Sequence, residues 1–230
     1  MATSTIFGEA APAGATWNAA EGPVSLGTVI EVLNAGVITH IRIPNHADYQ
    51  GRTLTLWVAS GFWDSPVGGR QIAARVEAEQ RPSRAITASD SGAWIEFALS
   101  PPVSVTAGQV VMAGFWVPSG GGYYSQSGAL TGGPITSAAG TMRAMQDGLA
   151  EGIDNITENG RYSYDAEPYW PLESFGGGIY FADLRFDDSG PAPSTPGPIK
   201  AWRNGQYVDC DVYGWNGTQY VPVDVAQGLG

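Results

Sequence analysis

The stretch from Trp94 to Val117, WIEFALSPPVSVTAGQVVMAGFWV, constrains the fold of this chain more than any other. Ile95, Phe97 and Leu99 alternate with Trp94, Glu96 and Ala98, the period of two that sets one face of a strand on a core. Pro101 and Pro102 have no N–H to give a ladder and each restricts the residue before it, so the strand is expected to stop there and the chain to turn a corner. Val103 and Val105 resume the alternation, and Ala107-Gly108 supplies a tight turn. Val110 to Val117 is then apolar on both faces, as befits a strand in the middle of a two-layer β-fold.

The same pattern recurs along the chain. Ser4 to Gly8 gives a short apolar opening. Leu26 to Leu33 alternates and then becomes apolar on both sides, and after Asn34-Ala35-Gly36 the segment Val37 to Pro44 alternates again, so the two read as a hairpin. Thr53 to Ala59 is a third strand, followed by the loop SGFWDSPVGG. Arg70 to Arg81 fits either a helix of about three turns or a strand, and its neighbours favour the strand. From Gly120 a long irregular region runs to about Tyr164, with a short helix predicted over Ala144 to Ile153, and Gly178 to Phe186 closes the domain as a strand with Ile179, Phe181, Leu184 and Phe186 toward the core. With 32 glycines, 16 prolines and only 14% charged residues, many short strands joined by turns suit the composition better than a helical bundle.

Ser189 to Pro198, SGPAPSTPGP, holds four prolines and nothing apolar larger than alanine, the mark of an extended, semi-rigid linker. Beyond it the chain repeats with a period of 13: Trp202, Tyr207, Val208, Asp211 and Val212 recur as Trp215, Tyr220, Val221, Asp224 and Val225. Each copy predicts a hairpin, with Asn204-Gly205 turning Trp202 opposite Tyr207 and Gly217-Thr218 turning Trp215 opposite Tyr220. The organisation expected is an all-β antiparallel sandwich of jelly-roll type over residues 1–188, a proline-rich linker over 189–198 and a β-hairpin repeat tail over 199–230. An isolated hairpin is marginal, and so short a tail with no disulfide or metal motif falls below the size at which independent folding becomes plausible. Trp202, Tyr207, Trp215 and Tyr220 are therefore expected to pack on another surface, a neighbouring chain before the sandwich, because the linker can reach roughly 30 Å.

Charge and chemistry exclude several classes. The formal net charge is −11 and Lys200 is the only lysine, so nucleic acid and anionic membranes are poor partners. No apolar run approaches the about 18 residues of a membrane span, and the N-terminus lacks the basic and apolar regions of a signal peptide. Cys210 is a lone thiol. His40 falls in a strand pattern and His46 in a turn, a structural role suiting each better than a catalytic one. Asp64, Glu173, Asp183, Asp187 and Asp188 could supply a carboxylate pair for glycoside hydrolysis, yet no spacing singles one out. Asp147, Asp154, Asn155 and Asp183 offer oxygen ligands for calcium without an EF-hand-like spacing, so no cofactor or metal is assigned. Aromatic residues are the better lead: Trp63, Tyr123, Tyr124, Tyr169 and Trp170 lie in Gly/Pro/Ser-rich segments, where flat rings stack on sugars or anchor an interface, or else fold over the sandwich and bury themselves.

Residues from about Thr5 to Phe186 resemble an uncharacterised family of bacterial extracellular β-sandwiches found beside fibronectin-type and carbohydrate-binding modules. TIFG, LGTVIEV, GVITHIRIP, LTLWVASG, WIEFALSPPVSVTAG, GGGYY and the closing YFADLRF carry the likeness in order. Arg70 to Arg84 and Met142 to Arg161 are longer than that pattern. The paired Trp–Asn–Gly–Tyr–Val units are similar to the terminal repeats of minor tail and other virion proteins of phages that infect actinobacteria. Those resemblances imply a non-enzymatic virion structural protein, most simply a minor tail protein, with capsid decoration protein and secreted glycan-binding module as alternatives. They imply residence in the virion after synthesis in the host cytoplasm, with other virion proteins, further copies of this chain and host cell-wall glycan as partners.

Overall fold

The computed structural model describes residues 3–60, 63–67, 70–75, 78–148, 159–164, 166–168, 171, 173–174 and 177–189. In the tail it describes 200–203, 206–209, 213–215 and 220–222, and for 60–79 and the tail it describes the backbone alone. Compact packing divides the chain into two units, Met1–Ala192 and Pro193–Gly230. The first is an antiparallel β-sandwich. Its smaller sheet has four strands in the order Thr3–Ser4, Asp183–Asp187, Gly36–Pro44, Trp94–Val105. The larger runs Ile135–Thr136, Met142–Ala144, Val24–Val32, Val110–Val117, Thr53–Ser60, Ala78–Gln80. Arg161–Ser163 joins it on Val24–Val32, Glu173–Ser174 lies beyond, and Ser83–Ala85 joins on Thr53–Ser60. Among the described residues the only helical piece is a 3-10 turn, Ala47–Tyr49.

Alternation builds the core between the sheets. Leu26, Ile30 and Val32 of one strand, Leu54, Leu56 and Val58 of another, and Val111, Ala113, Phe115 and Val117 of a third meet Ile38, Ile41, Ile43, Phe97, Leu184 and Phe186 from the smaller sheet, all buried. Val110–Val117 is central, paired on one side with Val24–Val32 and on the other with Thr53–Ser60. That explains why it is apolar on both faces, since its outward Met112 builds a second cluster with Val29, Trp57 and Ala59, against which Val110 and Trp116 also pack.

Val24–Val32 and Gly36–Pro44 are not a hairpin. They belong to different sheets, the first paired with Val110–Val117 and the second with Trp94–Val105 and Asp183–Asp187, so Asn34 to Gly36 carries the chain from one layer to the other. A side chain at Gly36 would strike the Phe186 ring and stand 2.5 Å from the Asp187 carbonyl oxygen, so the crossing needs glycine. Each strand is apolar enough to sit on the core by itself, and burial between layers outweighs the local turn signal.

Pro101 and Pro102 likewise do not end their strand. Trp94–Val105 is continuous, and Leu99 to Pro102 bulge opposite Thr39 between the pairs Ala98 with His40 and Val103 with Ile38. The strand lies at the edge of its sheet, where a missing N–H breaks no ladder. Gln80 completes the bulge: the Ser100 N–H donates to its Oε1 at 3.1 Å, and its Nε2 donates to the Pro101 carbonyl at 2.5 Å.

Arg70–Arg75 and Ala78–Gln80 are strands, the former paired with Trp63–Val67. The helix expected over Ala144 to Ile153 is not found where the chain is described: Met142–Ala144 is a strand against Val24–Val32 and residues 145–148 are non-helical, while 149–153 lie outside the described residues.

A buried ion pair ties the smaller sheet to the N-terminal segment. Arg42 donates through Nη2 to Asp183 Oδ2 at 2.7 Å, both side chains fully buried, and its guanidinium lies 4.2 Å from the Trp94 ring centre. Asp183 also accepts from the backbone N–H groups of Ile6, Phe7 and Leu184. Losing Arg42 would leave the Asp183 carboxylate buried without its cation, whereas Arg42 has a second carboxylate, that of Glu9, at 3.2 Å.

The tail unit has two separate two-stranded sheets, Lys200–Arg203 with Gln206–Asp209 and Tyr213–Trp215 with Tyr220–Pro222. Trp202 pairs across from Tyr207 and Trp215 across from Tyr220.

Candidate functional site

Four tyrosines from three segments converge on one cleft of the sandwich. The floor is Val24 and Leu26, inward residues of Val24–Val32. Arg161–Ser163 lies antiparallel beside that strand with Tyr162 opposite Leu26, which turns the Tyr162 ring the same way as Leu26. Tyr164, two residues on, meets Tyr162 edge to face with ring centres 5.7 Å apart. From the other side come Tyr123 of Gly122–Ser125 and Tyr180, also edge to face at 5.6 Å. Together the six side chains line a cleft of about 270 Å³.

Local backbone geometry aims these rings. Gly122–Ser125 pairs with Thr16–Ala19, so the consecutive residues Tyr123 and Tyr124 point to opposite faces. Tyr123 enters the cleft, whereas Tyr124 packs edge to face on Trp17 at 5.0 Å and on His46 at 5.7 Å. Tyr180 follows Ile179, which bridges Gln126. Phe181 then takes a φ of 55°, a left-handed conformation that a bulky residue rarely adopts, and it is held there by burial against Phe7. Through that irregular step Ile179, Tyr180, Phe181 and Ala182 are all buried, while Tyr180 still reaches the cleft.

Three of the phenols, Tyr123, Tyr162 and Tyr180, are pushed toward the protonated form. Burial pushes the Tyr180 hydroxyl well above the usual range, with neighbouring tyrosines adding to the effect. Burial raises Tyr123 as well, helped by Tyr164 and the charge of Glu21. Tyr162 is raised by desolvation and by its hydrogen bond to Glu173, the residue opposite it in the strand pair. The cleft therefore offers neutral hydroxyls, apolar ring faces and nearby carboxylates. Tyr164 is 58% exposed, the only large hydrophobic side chain so open among the described residues.

Of the aromatic residues singled out in the sequence, Tyr123 lies in this cleft and Tyr124 does not. Trp63 begins the strand Trp63–Val67, with its side chain outside the description, and Tyr169 and Trp170 lie outside the described residues. Trp202, Tyr207, Trp215 and Tyr220 sit in the tail strands. Tyr162, Tyr164 and Tyr180 do not stand out among the loop aromatics of the sequence. A signal was present for two of them, because the alternation in RYSYD puts Tyr162 and Tyr164 on one face of any strand that segment forms.

Several of the other candidate groups have structural partners. His46 accepts the Asp48 N–H at its Nδ1 to cap the 3-10 turn, and its ring stacks on Trp17 at 3.6 Å. His40 contacts the Thr39 hydroxyl at 3.1 Å. Asp183 is engaged by Arg42, Asp187 accepts from the Ser189 N–H and hydroxyl, and Asp147 accepts the Asn159 N–H. Asp154, Asn155 and Cys210 lie outside the described residues, and among those described no three His, Cys, Asp or Glu side chains are grouped to hold a metal.

Comparison with known proteins agrees with an uncharacterised domain. No curated protein and no solved structure matches the chain. Residues 9–182 match the model of a family described as a domain of unknown function, DUF4082, well over half of the chain, and the protein belongs to that family.

Proposed function

We propose that the protein is a non-enzymatic virion structural protein, a minor tail protein, whose β-sandwich meets a host-surface glycan through the tyrosine-lined cleft. In this reading the hairpin tail joins it to other virion proteins and to further copies of itself. The observation that carries the binding half is the cleft: an exposed ring at Tyr164 beside three more phenols, with hydroxyls to hydrogen-bond a sugar and ring faces to stack on it. Its volume of about 270 Å³ is just under the ~300 Å³ at which small-molecule pockets begin, which suits one unit of a longer saccharide.

All six lining residues fall within the family-matched span of 9–182, while the hairpin repeat lies beyond it. This supports a division of labour in which the domain binds and the tail attaches. Two tail sheets of two strands each, with a Trp–Tyr pair apiece, favour a docking element over a free-standing domain.

Three measurements test the reading. The full chain should bind isolated host cell-wall polysaccharide saturably, and Tyr164→Ala should weaken that binding at least tenfold with unchanged melting; equal binding by the variant would remove the cleft from the account. Light scattering of the full chain and of a version ending at Ser189, with circular dichroism to verify its fold, should give a defined oligomer and a monomer. A capsid decoration protein or a secreted glycan-binding module could use the same cleft. Immunogold labelling of particles separates them: label along the tail supports the proposal, label over the capsid favours decoration, and unlabelled particles favour the secreted module.

A further inference from the structure

We infer that the cleft is built for an amino sugar carrying a free ammonium group, and that it rejects acidic sugars; this rests on the glycan-binding reading above. Four tyrosine rings line it, and an electron-rich ring face attracts a cation placed over it. Two carboxylates bear on the lining. Tyr162 hydrogen-bonds Glu173, its partner across Arg161–Ser163 and Glu173–Ser174, and the charge of Glu21 acts on Tyr123. A phenol whose proton is committed to a carboxylate presents only lone pairs to anything else nearby, so Tyr162 is an acceptor within the cleft. None of the described lining residues is Lys, Arg or His, and the chain carries a formal net charge of −11. An ammonium entering this site finds π faces, an acceptor oxygen and nearby negative charge. A uronate or phosphate finds no cation among the described lining residues to pair with and is repelled.

The test compares a glucosamine hexamer, the corresponding N-acetylglucosamine hexamer and a galacturonate hexamer. Each is titrated calorimetrically into the full chain at physiological ionic strength and at mildly acidic pH, where the sugar amine is charged. The glucosamine hexamer should bind about tenfold tighter than the N-acetylated one, a gap of the size a partly desolvated cation–π contact supplies. The galacturonate hexamer should not bind. Glu173→Gln keeps a hydrogen-bond acceptor beside Tyr162 and removes the charge, so it should lose most of the preference. Equal or tighter binding of the N-acetylated hexamer, or any binding of the galacturonate, overturns this inference and leaves the glycan reading standing. Undiminished binding of the glucosamine hexamer by Tyr123→Ala/Tyr164→Ala also overturns it, because the attraction would then come from net charge alone. If none of the three binds, the glycan reading falls with it.

Discussion

Gly114 and Trp57 face one another across Val110–Val117 and Thr53–Ser60, and the indole lies so close over the glycine that a Cβ there would stand 2.6 Å from Trp57 Cζ2. On its other side Gly114 pairs with Gly27, so two adjacent glycines and one tryptophan form a single row across three strands. The ring fills the space that the missing Gly114 side chain leaves, Met112 and Pro171 crowd Gly27, and Trp57 is buried with Val29, Ala59 and Met112 on the face turned away from the smaller sheet.

Gly114→Ala should therefore displace the indole and cost about 1–3 kcal/mol, the usual range for overpacking. Gly22→Ala is the matched control, since nothing lies within 4 Å of a Cβ there, and it should stay within about 0.5 kcal/mol of the parent. Urea denaturation of both variants reads the difference. Equal stability of the two would mean that the tryptophan moves aside without loss.

Asn159 supports a second prediction, because its side chain acts as a missing piece of strand. Val24–Val32 is paired with Met142–Ala144 at residues 30–32 and with Arg161–Ser163 at residues 25–27, which leaves Val29 between the two partners. The Asn159 amide fills the gap: its Oδ1 accepts the Val29 N–H and its Nδ2 donates to the Val29 carbonyl, both at 2.8 Å, with a further bond to the Met145 carbonyl. Asn159→Asp would turn that donor into a carboxylate oxygen facing two carbonyls, at a cost of about 3 kcal/mol or more. Protonation restores a donor, so the variant should regain stability relative to the parent as pH falls from neutral toward about 4. A deficit that stays constant across that range would show that the amide is not bridging the strand.

The parent should lose stability in acid partly through Asp90. Its carboxylate receives two hydrogen bonds from Arg84, at 2.6 and 2.9 Å, and one from the Thr87 N–H at 2.9 Å. The Arg84 hydrogen bonds chiefly, then that of Thr87, hold Asp90 down at about 2 from an ordinary 3.8. A depressed carboxylate stabilises the fold above its unfolded value, and that contribution disappears as pH falls from about 4 to about 2. Asp90→Asn should be less stable than the parent at neutral pH and should show a shallower loss over that window by thermal melting. Parallel curves for the two proteins would assign the acid sensitivity to other groups.

How far these features were legible in the sequence differs from one to the next. The alternation in Trp94 to Val117 and in Thr53 to Ala59 leads directly to the sandwich, because period-two burial is a local property. The hairpin expected between Leu26 and Pro44 was wrong because sequence proximity favours pairing neighbours, whereas two strands that each bury a full face can lie in opposite layers. Pro101 and Pro102 read locally as breakers, which holds inside a sheet; their edge position and the amide of Gln80 are not local information. Tyr123 was reached from its Gly-rich neighbourhood. Tyr180 was hidden in a segment that reads as core strand, and only the positive φ of Phe181 separates its role from that of its neighbours. Asn159 carries no motif, since its partners Val29 and Met145 lie 130 and 14 residues away.

The opposite faces of Tyr123 and Tyr124 give a last prediction, in which two adjacent identical residues respond differently. Tyr124 packs in a cluster with Trp17 and His46, and Trp17 in turn meets Tyr49, whose buried hydroxyl donates to the Gly122 carbonyl at 2.9 Å. Truncating Tyr124 removes the edge of that cluster, so Tyr124→Ala should lower stability by about 2 kcal/mol and leave saccharide affinity of the folded protein unchanged. Tyr123→Phe keeps the ring against Tyr180 and removes only the hydroxyl from the cleft. It should leave melting within a degree or two and weaken saccharide binding severalfold, the loss of one hydrogen bond to the ligand. Measuring melting and binding on the same two variants gives a crossed pattern if the cleft is the binding surface. An affinity loss confined to Tyr124→Ala would move the site to the Trp17 and His46 face of the hairpin.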